Sequence, residues 1–285
     1  MSVLLDGKAF SGVVKDELKQ KCEIIKKTYG ISPKLAIILV GDNPASEIYV
    51  SSKVKSCEYV GITSIVERFS ENASQKDIVS VIKRLASDKT VNGIMVQLPL
   101  PRGFDEKIIL SNIPFEKDVD GLTPLSAGKN LLGEECLLPC TPKGIIELLK
   151  HYKIHFSSLN AVIVGRSNLV GKPLAAMLLK ENCTVTVCHS KTRDLREQTL
   201  KADLLIVATG MPHLINSDMV KDGAVVVDVG INRTPDGLKG DVDFESVKGK
   251  VSFITPVPGG VGPMTVAMLL DNAFTAFIKQ NNLII

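Results

Sequence analysis

The stretch from Leu159 to Pro173 reads LNAVIVGRSNLVGKP and decides the fold of the second half of the chain. An apolar, β-branched run ends at Gly165, and Gly171 opens a segment with helical spacing of apolar residues, so a strand, a tight turn and a helix follow in order. Such a turn brings bare amides close to a pyrophosphate, and the helix N-terminus adds partial positive charge. The stretch therefore predicts half of a dinucleotide site, although a plain strand-to-helix connection has a similar pattern.

The residues after the next predicted strand favour NADP over NAD. The strand Thr184–Cys188 leads into His189–Arg193, which contains no Asp or Glu, whereas an NAD site usually has an acid there for the ribose 2′-OH. The hydroxyl of Ser190, the cations beside it and Arg166 from the first turn could bind a 2′-phosphate. The alternative is an ordinary solvated strand end.

Length and composition exclude several classes of protein. The 285 residues suffice for two domains, and 45% hydrophobic with 23% charged residues is typical of a soluble globular protein. A net charge of +3 does not indicate a nucleic-acid partner. The six cysteines form no C-x-x-C pair and the four histidines no H-E-x-x-H, so neither a disulfide framework nor a metal site is predicted. No targeting signal or membrane-spanning run is recognised, which predicts a cytoplasmic protein without a membrane partner.

Alternating strand and helix patterns run along the whole chain and predict parallel sheets covered by helices. We expect an α/β protein with two α/β domains, the second a Rossmann-like doubly wound parallel sheet, and a cleft between them. Residues 1–140 are predicted to form the first domain, residues 141–263 the second, and a closing helix over 264–285 is predicted to complete the first domain.

Two groups in the first domain are candidate site residues. Asn43 and Pro44 predict the start of a helix on which Tyr49 and Lys53, four residues apart, share one face beside the core stripe. Gln97 follows a predicted strand, at the edge of a parallel sheet where ligands collect. The simpler interpretations are a lysine that extends to solvent beside a surface tyrosine, and a glutamine that caps a turn.

Several predicted loops carry further candidates. Asp118 and Asp120 flank a valine in a loop where both would ordinarily be turn formers. Ile231 follows a strand of the second domain. The stretch 255–263 is rich in glycine and proline, and its bare backbone suggests close approach to a flat ligand.

Five motifs in order along nearly the whole chain carry a family resemblance. They are YVxxK at 49–53, VQLPLP at 96–101, KDVDG at 117–121, GRSxxVGxP at 165–173 and PGGVGPMT at 258–265. Together they closely resemble the bifunctional methylenetetrahydrofolate dehydrogenase/methenyltetrahydrofolate cyclohydrolase family, an oxidoreductase and hydrolase of one-carbon metabolism and purine biosynthesis.

The resemblance implies two consecutive reactions: oxidation of 5,10-methylenetetrahydrofolate by NADP, then hydrolysis of the methenyl product to 10-formyltetrahydrofolate. It implies that Lys53 is the acid/base group, that Gln97 holds and tunes its amine, that Tyr49 stacks on the folate, and that Asp120 accepts hydrogen bonds from the pterin. It also implies a folate substrate and a homodimer.

By the same resemblance, NADP is expected to bind at Gly165, Arg166, Ser167, Ser190 and Ile231. The remaining residues expected at the folate are Val96, Leu98, Pro258, Gly259, Gly260, Val261, Gly262 and Pro263. Two alternatives remain at this point: a dehydrogenase without hydrolase activity, and a non-catalytic NADP- or folate-binding regulator.

Overall fold

The computed structural model describes residues 2–284, and its contacts divide the chain into two compact units. The first unit contains residues 12–129, 135–140 and 266–284, and the second contains residues 2–11, 130–134 and 141–265. Both are α/β units built on parallel strands, as predicted.

Helices and strands alternate in the predicted manner. The helices are α1 (Gly7–Tyr29), α2 (Pro44–Val60), α3 (Gln75–Ser87), α4 (Glu106–Leu110), α5 (Pro124–Leu132), α6 (Cys140–His151), α7 (Gly171–Lys180), α8 (Leu195–Thr199), α9 (Phe244–Val247) and α10 (Val261–Gln280). The strands are β1 (Val3–Leu4), β2 (Lys34–Val40), β3 (Thr63–Phe69), β4 (Gly93–Val96), β5 (Asn160–Val164), β6 (Thr184–Cys188), β7 (Leu204–Val207), β8 (Val225–Asp228), β9 (Asn232–Thr234), β10 (Gly237–Lys239) and β11 (Phe253–Ile254).

The first unit is organised around a three-stranded parallel sheet in the order β3-β2-β4. Its central strand is buried on both faces, and the helix α3 packs Ile78, Ile82 and Leu85 into one core cluster with Ile38. The predicted start of α2 is confirmed, because the side chain of Asn43 accepts hydrogen bonds from the first amides of that helix. Strand ends and the start of α2 are therefore fixed locally.

The second unit contains a six-stranded parallel sheet in the order β1-β11-β8-β7-β5-β6. The strands β6 and β7 lie on opposite sides of β5, so the strand order reverses there, as in a Rossmann-like doubly wound sheet. The two-stranded hairpin of β9 and β10 stands apart from this sheet.

The two units differ from the predicted domain ranges at residues 2–11, 130–134 and 264–265. Val3 and Leu4 form the edge strand β1, which pairs with β11 of the second unit. The side chain of Asn130 donates a hydrogen bond to the Pro173 carbonyl in the same unit. A two-residue strand and a single amide contact leave no periodic pattern in the sequence, so neither could be predicted.

The closing helix begins at Val261, three residues before the predicted start at 264. Residues 261–263, predicted as loop, therefore form the first turn of α10, where proline is tolerated because first-turn amides need no helical acceptor. By length and composition α10 could cross a membrane. In the first unit, however, its side chains Leu269, Leu270 and Phe277 belong to the buried core.

Lys117 closes the C-terminal end of α3 from inside the first unit. Its residue is only 8% exposed, and its ammonium group donates to the carbonyls of Leu85, Ala86 and Asp88 at 3.2, 2.8 and 2.7 Å. A cation at the end of a helix also interacts favourably with the helix dipole. Lys117 thus has a structural role, and it anchors the loop that carries Asp118 and Asp120.

We expect Lys117→Met to lower the free energy of unfolding by about 2 kcal/mol, because it removes charge-assisted hydrogen bonds from buried carbonyls. Urea unfolding followed by circular dichroism measures the change. Lys89→Met, at an exposed position near the same helix end, is the matched control and should change stability little. Equal effects of the two substitutions would contradict the structural role of Lys117.

Candidate active site

Lys53 and Gln97 meet in the first unit. Lys53 Nζ donates to Gln97 Oε1 at 2.9 Å, and Gln97 Nε2 donates to the Leu98 carbonyl at 2.6 Å. The second contact fixes the amide so that its oxygen faces the lysine. Gln97 is buried directly after β4, and Lys53 lies on α2 one turn beyond Tyr49. The sequence prediction that these side chains form one site fits this geometry.

The surroundings of Lys53 favour a neutral amine. The residue as a whole is partly exposed, but its amine end lies among protein groups, and this burial lowers the pKa of Lys53 below its ordinary value. The negative charge of Asp120 opposes the shift most, followed by the thiols of Cys140 and Cys57. Burial prevails over these charges.

Asp120 responds to the same environment in the opposite sense. Burial raises the pKa of its carboxyl group, while the Lys53 charge and a hydrogen bond from Cys140 lower it, and Asp118 raises it further. Lys53 and Asp120 are thus an electrostatic pair in which desolvation disfavours both charges.

The two aspartates of the KDVDG motif have different environments. Asp118 is buried and accepts from the Thr123 amide at 2.9 Å and the Ser126 hydroxyl at 2.6 Å, so it fixes the start of α5. Asp120 instead lies close enough to Lys53 for their charges to interact. A turn-forming role therefore describes Asp118, whereas Asp120 belongs with the lysine.

Two residues that the sequence analysis did not identify, Asn272 and Cys140, contact the chain next to Asp120. The buried Asn272 side chain of α10 donates to the carbonyls of Val119 and Leu138, both at 2.8 Å. Cys140 contacts the Val119 carbonyl through its sulfur at 3.4 Å as well as the Asp120 side chain. Asp271 and Asn272 together interrupt the apolar run of α10, and this is the signal in the sequence that could have identified Asn272.

The glycine turn of the second unit leaves no room for side chains. A Cβ at Gly165 would lie 2.2 Å from the Ala208 carbonyl oxygen, and one at Gly171 would lie 2.1 Å from the Gly165 oxygen. Gly165 also has a φ of 128°, a conformation that favours glycine. The turn after β5 is therefore packed backbone to backbone against the turn after β7, at the point where the strand order reverses and where doubly wound sheets bind nucleotides.

Arg166 and Ser190 follow neighbouring strands at this edge of the sheet. Each lies two residues beyond a register pair, Val164 with Cys188, of the neighbouring strands β5 and β6. Both are exposed. Ser167 is also exposed, but its hydroxyl accepts a hydrogen bond from the Val170 amide at 3.1 Å and so stabilises the turn itself. The packed glycines together with an exposed arginine and serine suit a phosphate-bearing dinucleotide.

Two other predicted ligand residues of the second unit, Ile231 and Gly262, lie close together. Ile231 is 44% exposed, and its side-chain end lies 3.4 Å from the position of a Cβ built on Gly262. A Cβ at Gly260 would lie 2.6 Å from the Pro256 oxygen, so the turn before α10 is tight. The bond before Pro258 in that turn is cis.

The side chains predicted to surround the folate differ in accessibility. Tyr49 is 41% exposed and Leu98 is partly exposed, whereas Val96 is buried within β4, where its side chain packs into the core. Val96 can therefore offer a ligand little beyond its backbone. The Leu98–Pro99 bond, whose isomer the sequence does not indicate, is cis.

Two family models cover most of the chain. Residues 5–120 match the tetrahydrofolate dehydrogenase/cyclohydrolase catalytic domain, and residues 139–281 match the NAD(P)-binding domain of the same family.

Individual relatives are similar to this chain over nearly its full length. A protein of Campylobacter concisus named bifunctional protein FolD is 52% identical over 274 residues, which are 96% of each chain. The crystal structure of the bifunctional methylenetetrahydrofolate dehydrogenase/cyclohydrolase FolD of Campylobacter jejuni is 53% identical, with a TM-score of 0.96, over 99% of this chain and 100% of that one. The Trypanosoma brucei methylenetetrahydrofolate dehydrogenase-cyclohydrolase, complexed with NADP and an inhibitor, is 33% identical with a TM-score of 0.95 over 99% of each chain. This chain belongs to the tetrahydrofolate dehydrogenase/cyclohydrolase family.

Proposed function

We propose that this chain oxidises 5,10-methylenetetrahydrofolate with NADP and hydrolyses the methenyl product to 10-formyltetrahydrofolate, with Lys53 as the acid/base group of the hydrolysis. The observation that carries the proposal is the Lys53 amine, which contacts Gln97 Oε1 at 2.9 Å and whose pKa is lowered by burial. The bifunctional names of full-length relatives at about half identity support both activities.

A neutral amine at Lys53 suits the hydrolysis. It can accept a proton from water as the water oxygen attacks the methenyl carbon, and the resulting ammonium can return a proton to the ring nitrogen that leaves when the ring opens. Gln97 Oε1 accepts from the amine and thereby directs its lone pair away from the amide. A cationic substrate beside the amine would lower the pKa of Lys53 further.

Asp120 and Tyr49 have the chemistry to hold the folate in the first unit. A carboxylate can accept two parallel hydrogen bonds from neighbouring N–H groups of a pterin ring. The exposed ring of Tyr49 can stack on a flat heterocycle. Asn272 and Cys140 both donate to the Val119 carbonyl, and Cys140 also contacts the Asp120 carboxyl, so these two residues support the position of Asp120.

The oxidation needs position more than it needs an acid or base, because NADP itself supplies the acceptor for the hydride. In the second unit, the amides around Gly165 and Gly171 suit the pyrophosphate, and Arg166 with Ser190 suits the 2′-phosphate. Ile231 is assigned to the nicotinamide end of NADP. The turn that contains Pro258 and Gly260, expected at the folate, is assigned to the same end, where the folate carbon must meet the nicotinamide.

We also propose an oligomeric state and a cellular location for this chain. The chain is proposed to act as a cytoplasmic homodimer, without a nucleic-acid or membrane partner. The family resemblance supports the dimer, and the composition and weak net charge support the rest. Sedimentation equilibrium of the purified protein tests the dimer, since a monomer at micromolar concentration would exclude it.

The function is tested by following reduced cofactor and methenyl product together. Purified protein is mixed with 5,10-methylenetetrahydrofolate and either NADP or NAD. Cofactor reduction with little accumulation of methenyl product supports both activities. Reduction with accumulating methenyl product would leave a dehydrogenase alone, and no reduction with either nucleotide would refute the enzyme assignment.

Lys53→Met is expected to abolish hydrolysis of methenyltetrahydrofolate above the spontaneous rate, because no other amine contacts Gln97 among the described residues. A loss of about 100-fold or more fits removal of a general acid/base. Spectroscopic decay of the methenyl substrate measures the rate. Lys55→Met, two residues away and exposed, is the control and should retain activity. Equal hydrolysis by both variants would refute the role of Lys53.

Asp120→Asn is expected to shift the rising limb of the hydrolase pH profile to lower pH. The Asp120 charge favours the ammonium form and raises the pKa of Lys53, so removing that charge lowers the pKa and makes the neutral base available at lower pH. The profile of kcat, taken at saturating substrate, separates this effect from weaker folate binding. A shift to higher pH would contradict the assigned pairing of charges.

Arg166→Ala is expected to weaken NADP much more than NAD, because only NADP carries the 2′-phosphate that the guanidinium would bind. Loss of a charge-assisted contact predicts a rise of about 10- to 100-fold in KM for NADP. Arg196→Ala, at an exposed position on α8, is the control. An equal loss for both nucleotides would show that Arg166 does not read the phosphate.

A further inference from the structure

Two buried aspartates that have no part in the chemistry described above lie beside the nicotinamide-end loops of the second unit. Asp228 ends β8 and is 3% exposed, and Asp241 follows the β9–β10 hairpin and is 0% exposed. Buried carboxylates are costly unless they are hydrogen-bonded. The hydrogen bonds of Asp228 and Asp241 show which parts of the fold these buried carboxylates hold in place.

Within residues 2–284, the hydrogen bonds to the Asp228 side chain all come from backbone amides. Its Oδ1 accepts from Gly230 and Asp241 and its Oδ2 accepts from Val242, each at 2.9 Å. Its own amide donates to the Thr255 hydroxyl at 2.7 Å. Burial raises the pKa of Asp228 to about 6 in spite of the three donors, so it is mainly ionised at neutral pH. A single residue thus connects the loops after β8, β10 and β11.

Asp241 extends this network to the loop after β7. Its Oδ2 accepts from the Thr209 amide at 2.6 Å, the Thr209 hydroxyl at 2.9 Å and the Gly210 amide at 2.9 Å. Its Oδ1 accepts from the Asn232 side chain at 2.8 Å. Asn232 is the direct neighbour of Ile231.

The backbone of these loops lies in close contact with both carboxylates. A Cβ at Gly230 would lie 2.2 Å from Asp241 Oδ1, and one at Gly240 would lie 1.9 Å from Asp228 Oδ2. Glycine is therefore required at both positions, and the backbone has little freedom to move relative to the acids. Ile231 lies between these contacts, with its side-chain end beside Gly262.

We propose that Asp228 and Asp241 are positioning residues for hydride transfer: they fix the loops that carry Ile231 and Thr255 to Gly260, and so set the dehydrogenase rate without setting the hydrolase rate. The hydrolase groups Lys53, Gln97 and Asp120 belong to the first unit, whereas this network belongs to the second. The inference rests on the proposed function, because it assigns these loops to the nicotinamide end.

The hydrogen bonds distinguish the two acids. All three donors to Asp228 are amides, so Asp228→Asn places an NH₂ group against an N–H in either orientation of the side chain. Asp241→Asn can keep its oxygen toward Thr209 and Gly210 and turn its NH₂ toward Asn232, whose amide can rotate to present oxygen. The same loss of charge is thus tolerated at one position and not at the other.

The experiment measures both activities on the same preparations of the full chain. Asp228→Asn and Asp241→Ala are expected to lower the dehydrogenase kcat by about 10- to 100-fold, since small displacements of reacting groups have effects of this size. Their hydrolase kcat is expected to change less than about twofold, and KM for NADP, which depends on Arg166 and Ser190, less than about threefold. Asp241→Asn is expected to lose only about threefold in dehydrogenase kcat. Asp236→Asn, exposed in the hairpin turn, is the control for loss of one charge.

Three results would overturn the inference: a dehydrogenase kcat retained by Asp228→Asn, a parallel loss of both activities, or an equal loss in Asp241→Asn and Asp241→Ala. Failure of the proposed function has a different signature, because the unmutated chain would then oxidise no methylenetetrahydrofolate with NADP.

A reciprocal pair of variants tests the same inference if Asp228→Asn does not fold. Asn232→Asp, at a partly exposed position, sets a second carboxylate against Asp241 Oδ1 and is expected to lower the dehydrogenase kcat by about tenfold. Adding Asp241→Asn restores a donor and an acceptor with reversed polarity, so the double variant is expected to recover most of the loss. A double variant no faster than Asn232→Asp would overturn the inference.

Discussion

A lysine amine removed from water, with one neutral acceptor and one nearby carboxylate, is the constraint on which the first unit's site depends. Burial favours the neutral amine, and the Asp120 charge limits how far the pKa falls. Three separate parts of the chain must meet to produce this balance. Asn43 fixes the start of α2 and hence the position of Lys53, β4 delivers Gln97, and Lys117 with Asp118 anchors the loop that ends in Asp120.

The second unit uses buried charge in the opposite way. Among the described residues, the Lys53 amine donates to the Gln97 side chain alone, which suits a group that must gain and lose a proton. Asp228 and Asp241 are surrounded by donors, which suits groups that must hold backbone in place. Burial of a charged group therefore has two different consequences: it shifts the pKa of Lys53 in the first unit, and in the second unit it accompanies the hydrogen bonds by which Asp228 and Asp241 hold the backbone.

Sequence patterns predicted most of the fold because it depends on local chemistry, and they led to the proposed site residues. Helical spacing, Asn43 with Pro44 and the glycine turn at 165–171 each leave a periodic or capping signal, and the family motifs add the roles of Lys53, Gln97 and Asp120. Contacts between distant residues leave no such signal. The pairing of Val3 and Leu4 with β11, the start of α10 at Val261 and the support of Asp120 by Asn272 appear only in three dimensions. The KDVDG motif shows why: two similar aspartates, two residues apart, have different environments because their partners lie elsewhere in the fold.

The central claim is that burial outweighs the neighbouring carboxylate and keeps the Lys53 amine available as a base. Titration of the Lys53 side chain by NMR, with lysine labelled at the ε-carbon and the resonance assigned by its loss in Lys53→Met, measures this directly. The account predicts a pKa clearly below the ordinary lysine value of 10.5. A pKa at or above 10.5 would mean that the Asp120 charge prevails, and it would contradict the account.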